Sequence, residues 1–464
     1  MINNIFCNND TICAISTPPG TGGIAVARIS GPQAIAVCDR IWHGRPLAEA
    51  VSHTAHLGSV DDAEGNNLDE AVATVFRAPK SFTGEDVIEL SVHGSVYIQR
   101  ELINALCEAG ARLAERGEFT RRAFATGRFD LARAEAVADV IAADSKASHR
   151  LAMSQMRGNF SAELQYLHDG LLELVSLLEL ELDFSEEDVE FASRQRLLEL
   201  AQKIKATVSR LARSFRTGDA IKHGVSVAIV GETNAGKSTL LNRLLRDEKA
   251  IVSDVHGTTR DIIEDTADID GVCFRFIDTA GLRETDDSIE SQGIKRALKR
   301  MRSARIVLWV IDATRPENVA ATSADVIGNI SDDQTLVAVI NKTDAAGAGK
   351  VRSRLAGLCC DKTVEIAASK GNGIEALEQL LVEISGAADI SATDVIVTNA
   401  RHHRALVDAE QSITRAIDGI NTSLSGDFIA QDLRETLHHL STITGTITTD
   451  TILQNIFQNF CIGK

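Results

Sequence analysis

Gly231–Ser238 reads GETNAGKS, directly after the apolar run VSVAIV and running into the helical stretch KSTLLNRLL, which starts at Lys237. A loop of that spacing between a strand and a helix lets backbone N–H groups wrap a phosphate. Lys237 then sets its ammonium on the β and γ phosphates, and the Ser238 hydroxyl serves a magnesium ion. The candidate contacts run through Asn234, Ala235, Gly236, Lys237, Ser238 and Thr239. Three further motifs follow in the order a nucleotide hydrolase requires. GTTRD (Gly257–Asp261) falls where a first switch belongs, with Thr259 as second magnesium ligand. DTAG (Asp278–Gly281) closes an apolar run; Asp278 can reach magnesium through water, and the Gly281 N–H can face the γ-phosphate. NKTD (Asn341–Asp344) ends another such run. Guanine offers a ring N–H and an exocyclic amine on one edge, and the Asp344 carboxylate can accept both, whereas adenine presents an acceptor there. The set predicts GTP over ATP. AAS (Ala367–Ser369) would cover the base, yet GTP-binding loops usually carry Ser-Ala-Lys, so the lysine that packs on guanine is missing and somewhat weaker binding is expected.

The catalytic groups are less ordinary. Leu282 follows DTAG where Ras-like enzymes carry a water-orienting Gln, and no intrinsic arginine finger is evident. Another group must offset the developing negative charge. Asn234, inside the phosphate loop, could ligate a monovalent cation, and potassium there would supply that charge. Glu290 could orient water; by its residue type alone it reads better as a solvated charge on a helix face.

Positioning such groups needs a framework. With 464 residues, 44% of them hydrophobic, the chain exceeds one ordinary core, so about two to four domains are expected. Aromatic residues are only 4%, which leaves Leu, Ile, Val and Ala to build the interior. Residues 1–118 read as mixed α and β: TICAIST, GIAVARIS, EAVATVFRAP and EDVIELSVHG as strands, YIQRELINALCEAG as a helix. Residues 119–220 carry apolar positions at three- and four-residue spacing and no strand signal. Residues 221–385 alternate apolar strands with helices, the pattern of a mostly parallel sheet covered on both faces. Helical patterning returns over 386–464. The simplest architecture is an α/β domain inserted between two halves of a helical domain.

The net charge of −17 argues against a uniformly nucleic-acid-binding surface; contact with RNA would need a local basic patch or a partner. GEFTRRAFATGRFDLAR is locally basic and is a candidate, though a solvated helix face explains it equally well. The eight cysteines form no CxxC pair. No basic region with a following apolar run opens the chain, and no stretch approaches about 18 uncharged apolar residues. A cytoplasmic protein without a membrane span is expected.

PPGTGGIAVARISG, SFTGEDVIEL, GEFTRRAFATGRFDLARAEAVADVI, GETNAGKSTLLN, GTTRDIIED, DTAGLRE and the terminal FCIGK together give the chain an end-to-end resemblance to the MnmE (TrmE) family of tRNA-modification GTPases. The resemblance implies an N-terminal α+β folate-binding-like domain that also dimerises (1–118), a discontinuous helical domain (119–220 and 386–464) and an inserted Ras-like P-loop GTPase domain (221–385). It implies a homodimer, and a heterotetramer with the FAD-containing partner MnmG (GidA). Together they add an aminomethyl or carboxymethylaminomethyl group to C5 of the tRNA wobble uridine. The cofactors implied are GTP, Mg2+, K+ and a 5-formyl- or 5,10-methylene-tetrahydrofolate. Folate positions map to Arg28, Glu89, Arg128 and Lys464; Arg128 stands where relatives often have Lys. Potassium positions map to Asn234, Ser253, Val255 and Thr258, and magnesium to Ser238 and Thr259. The catalytic glutamate maps to Glu290. Nucleotide contacts map further to Ser253, Asp254, Val255, His256, Gly257, Thr258 and Thr259, to Asp278, Thr279, Ala280 and Gly281, and to Asn341, Lys342, Asp344, Ala368 and Ser369.

Cys461 remains. CIGK stands where a prenylation box would, but Gly463 and Lys464 suit that pattern poorly and no polybasic run precedes it. A buried structural thiol is the common fate of cysteine. Here ILQNIFQNF reads as a helix that ends just before an extended tail, and Lys464 beside a folate would bring Cys461 near the reacting carbon. Cys461 is therefore a candidate nucleophile or proton donor, with a conformational role for the tail as the alternative. A second reading of the whole chain is a switch GTPase in ribosome assembly or stress response, and a third is a scaffold built on the helical domain. The nucleotide motifs fit the first two readings alike; FCIGK and the N-terminal blocks fit only tRNA modification.

Overall fold

A computed structural model describes residues 10–183, 194–245, 265–277, 301–302, 304–358, 360–387, 394–422, 424–458 and 460–463. The chain divides into two compact units, Met1–Ile141 with Gln155–Ala206 and Ala405–Lys464, and Ala142–Ser154 with Thr207–Arg404.

In the first unit, β1 (Ile12–Ile15), β2 (Gly22–Ser30), β3 (Trp42–His43), β4 (Thr54–Asp61), β5 (Asn67–Phe76), β6 (Val87–Gly94) and β7 (Arg112–Leu113) form one sheet of order β3-β4-β5-β6-β2-β1-β7. Its pairs are antiparallel except β1 with β7. Ala71, Ala73 and Val75 of β5 point inward at every second position, as a half-buried strand requires. They meet Leu102, Ala105 and Leu106 of the helix Val96–Glu108 in one core. The register sets Arg28 of β2 directly opposite Glu89 of β6. Four expected strands are present as β1, β2, β5 and β6. β4 escaped the sequence pattern because Leu57 faces outward, 77% exposed, and Gly58 takes an inward position where a Cβ would strike the Trp42 ring, which leaves Val60 as its one fully buried apolar side chain.

The helical part of this unit follows the three-and-four spacing. Leu164, Leu167, Leu171, Leu174 and Leu178 of the helix Asn159–Asp183 are buried, and that helix packs against Gly426–Thr444. The helix Asp450–Gln458 buries Leu453 and Phe457, and Phe460 joins them against Leu131 and Ala134.

In the second unit, β8 (Val225–Gly231), β9 (Asp265–Ile269), β10 (Val272–Phe276), β11 (Ile306–Asp312), β12 (Thr335–Asn341) and β13 (Lys362–Glu365) order as β13-β12-β11-β8-β10-β9. All neighbours are parallel except β9 with β10. Every residue of β11 is buried: Ile306, Leu308 and Val310 enter one core, while Val307, Trp309 and Ile311 enter the other. Two covered faces explain why these strands read as unbroken apolar runs. β8, β11 and β12 run in one direction, so the residues after all three gather at the carboxyl edge of the sheet, where ligands of such folds sit. Among the described residues, no helix is long and apolar enough to cross a membrane.

Candidate functional site

The loop after β8 turns on glycine geometry. Gly231 has φ 141° and Gly236 φ 97°, and a Cβ on Gly236 would collide with Asn341 Nδ2. Asn234 also adopts a left-handed conformation, with φ 64°. The helix Lys237–Leu244 follows at once, anchored by buried Leu240, Leu241 and Leu244. Lys237 Nζ donates to the carbonyls of Gly231 (2.8 Å) and Glu232 (2.6 Å), so its ammonium sits within the arc of the loop. Ala235 is buried, while Asn234, Ser238 and Thr239 are exposed and accessible to a ligand.

Asn341, at the end of β12, is buried and joins two loops. Its Nδ2 donates to the Ala235 carbonyl (2.8 Å), and its Oδ1 accepts from the Ala368 N–H (3.0 Å). Lys342 donates to the Asn234 carbonyl (2.7 Å) and pairs with Asp312 Oδ2 (2.7 Å). Burial pushes the Asp312 carboxyl up, but the bonds from Lys342 and Thr314 outweigh it and hold the group below its ordinary value. Thr343 donates through N–H and Oγ1 to the Ile366 carbonyl, which ties the turn carrying Asp344 to the segment carrying Ala368 and Ser369. Arg243 closes the arrangement by donating to the carbonyls of Ala368 (3.0 Å) and Ser369 (2.7 Å).

Residues 234–239, Asn341, Lys342, Ala368 and Ser369 are thus brought together by direct bonds, with Asp344 on the adjoining turn. Ser253, Asp254, Val255, His256, Gly257, Thr258, Thr259, Asp278, Thr279, Ala280, Gly281 and Glu290 lie outside the described residues, as does Lys464. Sequence reasoning missed Asp312 and Arg243. Asp312 had a signal, an acid ending an apolar run one strand before NKTD; Arg243 had none beyond its place on the helix after the loop.

A second constellation lies in the first unit. Arg28 donates to Glu89 Oε1 through Nε (2.9 Å) and Nη2 (2.8 Å), both side chains half-buried. The C-terminal tail ends beside them. The Gly463 carbonyl accepts from Ser16 Oγ (3.1 Å) and Arg28 Nη1 (3.4 Å), and Ile462 bridges to Arg116. Gly463 has φ 91°, and a Cβ there would collide with the Ile15 carbonyl oxygen. Gly117 (φ 65°) lets the chain approach closely, since a Cβ there would lie 2.7 Å from the Phe457 carbonyl oxygen. Cys461 is exposed, which removes the buried structural role, and its carbonyl accepts from the Gly117 N–H (3.4 Å).

The Arg28 guanidinium stacks over the rings of Phe82 (5.2 Å) and Phe119 (5.7 Å). Phe82 also lines a cavity of about 310 Å³ with Phe76, Phe129, His53, Lys80 and Arg128. Gly84 (φ 79°) leaves room for the Arg128 stem, whose Cγ would lie 3.2 Å from a Cβ placed there. A lining of aromatic rings and cations suits a flat aromatic anion. Arg28, Glu89 and the tail therefore form one cluster, and Phe82 links it to the cavity that holds Arg128.

Residues 131–461 match the family model described as the MnmE helical domain, and residues 11–128 match that of the GTP-binding protein TrmE N-terminus. A tRNA modification GTPase MnmE of Parabacteroides distasonis is 50% identical over 460 residues, covering 98% of this chain and 100% of the relative. Its counterpart in Bacteroides thetaiotaomicron is 48% identical over 467 residues, with 98% and 100% covered. That of Porphyromonas gingivalis is 47% identical over 472 residues, with 98% of each covered. Family models over both the N-terminal and the helical parts, and relatives matched along nearly their whole length, lead to one conclusion: the chain belongs to the family of tRNA modification GTPases MnmE.

Proposed function

We propose that this GTPase uses GTP hydrolysis to drive attachment of an aminomethyl or carboxymethylaminomethyl group to C5 of the tRNA wobble uridine, with a tetrahydrofolate one-carbon unit. It would act as a homodimer, in a heterotetramer with the FAD-containing protein MnmG. The observation that carries the reading is the tail: Gly463 seats on Ser16 and Arg28, beside Glu89, at the aromatic cluster that continues into the Arg128 cavity. A site for GTP alone has no use for that junction.

Arg28, Glu89, Arg128 and Lys464 would hold the folate, which supplies the carbon. The carboxylate of Glu89 suits the donor edge of a pteridine, and the cations suit the glutamate tail of the ligand. Cys461, exposed one residue before the bridge to Arg116, would act as nucleophile or proton donor. In the second unit, the loop from Asn234 to Thr239 would bind the phosphates. Asp344 would read guanine, and Ala368 and Ser369 would cover it. Ser238 and Thr259 would hold magnesium. Asn234, Ser253, Val255 and Thr258 would hold potassium, which supplies the positive charge that an arginine finger supplies elsewhere. Ser238 and Asn234, both exposed on the loop, carry the hard oxygen donors such ions take. Glu290 would orient water.

Nucleoside mass spectrometry tests the reading, on tRNA from a deletion strain carrying the wild-type or the Cys461→Ser gene. Restoration of the C5-modified uridine by wild type alone supports it. Absence of restoration by wild type moves a switch GTPase to first place.

A further inference from the structure

The sequence has serine at position 369, where GTP-binding loops usually place the lysine that packs on guanine. The next residue is Lys370, and its Nζ lies 3.2 Å from Asp344 Oδ2. Asp344 is 21% exposed and Lys370 62%. Both partners stand on short, fastened turns. Thr343 is bonded twice to the Ile366 carbonyl, and the Ala345 N–H returns to the Lys342 carbonyl. On the other side Ala367 and Asn372 form a bridge. The N–H groups of Lys370 and Gly371 both donate to the Ala367 carbonyl at 2.9 Å. Arg243 fixes the two carbonyls immediately before Lys370.

We propose that Lys370 is a specificity-determining residue for the base: its ammonium holds the Asp344 carboxylate in the orientation that accepts both guanine donors. The inference rests on the nucleotide reading above. A carboxylate has about four lone-pair sites, so an ammonium on Oδ2 leaves room for two N–H donors from a ligand. A carboxylate free to rotate about its terminal bond keeps one such contact easily and both only in a fraction of its orientations. An ion pair this exposed adds little to folding, so its consequence lies in orientation.

The test uses the full chain and titrates guanosine, inosine and adenosine diphosphates. Inosine retains the ring N–H and lacks the exocyclic amine. Lys370→Met is expected to weaken guanosine diphosphate about fivefold, the scale of one exposed charge contact, while inosine diphosphate changes by less than about twofold. Lys370→Arg is expected to recover most of the discrimination. Equal weakening of both nucleotides would show that Lys370 only supports the loop, and no change in either would remove it from base recognition; each result overturns the inference. The wild-type ratio of guanosine to adenosine diphosphate checks the underlying reading separately. A ratio near one would sink the nucleotide reading, and the inference with it. A high ratio with an unresponsive Lys370→Met sinks the inference alone.

Discussion

Asn341 Nδ2 lies 2.8 Å from the carbonyl oxygen of Ala235, so the end of β12 grips the loop after β8 while its Oδ1 holds Ala368. Asn341→Ala leaves a buried acceptor and a buried donor without partners. It is expected to cost about 1–3 kcal/mol of stability and to weaken guanosine diphosphate by at least about tenfold. Thermal unfolding and a fluorescent-nucleotide titration read the two effects. Unchanged affinity would show that the loop keeps its shape without the clamp.

Glu118 is buried and pairs with buried Arg122 and the more exposed Arg112, in an ion cluster of the first unit that also includes the partly exposed Asp10. Burial pushes its carboxyl up, but bonds from Arg112, the Glu115 N–H and Arg122 outweigh that and hold it below its ordinary value; Asp10 is lowered in the same way. A lowered carboxyl gives stability that is full above the unfolded value, near pH 4, and is lost as pH falls through the folded value. Glu118→Gln is expected to lower neutral-pH stability by about 3 kcal/mol and to flatten the acid limb of melting temperature against pH. An acid limb as steep as that of wild type would place the titrating group elsewhere.

Gly463→Ala puts a Cβ against the Ile15 carbonyl at a left-handed position. The tail should leave its seat on Ser16 and Arg28 without loss of the fold, because the tail follows the anchoring Phe457 and Phe460. Modified wobble uridine is expected to fall at least about tenfold while GTP turnover stays within about twofold. Full modification by this variant would make the seat dispensable.

Thiol labelling separates the described cysteines. Cys461 is exposed, whereas Cys38 is fully buried and Cys13 is buried with its thiol pushed up to about 12, first by burial and then by the neighbouring Cys107. At pH 8 a maleimide should modify Cys461 first, and Cys13 and Cys38 only on unfolding. Early modification of Cys13 under native conditions would contradict the packing of β1.

Much of the framework was legible because it follows simple periodicity. β11 and β12 read as apolar runs since both faces are covered, and the helix Asn159–Asp183 shows its buried leucines at three- and four-residue spacing. β4 was not legible: Leu57 faces outward and Gly58 yields its inward position to the Trp42 ring, so only Val60 follows the expected alternation as a buried apolar side chain. β3 and β7 span two residues each and carry no period at all. At the sites, short motifs name residues but not their long-range partners. Nothing local joins Gly463 to Ser16, 447 positions apart, or Arg243 to Ala368, 125 apart. Such contacts follow from which strands end at the same edge, a property of topology rather than of any window of sequence.

The most direct test of the central claim, that the docked tail serves one-carbon chemistry on tRNA, is nucleoside mass spectrometry on tRNA from the deletion strain complemented with wild type or Cys461→Ser. Wild type is expected to restore the C5-modified wobble uridine and the serine variant is not, at equal tetrahydrofolate affinity and equal GTP turnover. Restoration by both would contradict it, leaving the tail as a structural strap and the thiol without a part in the reaction.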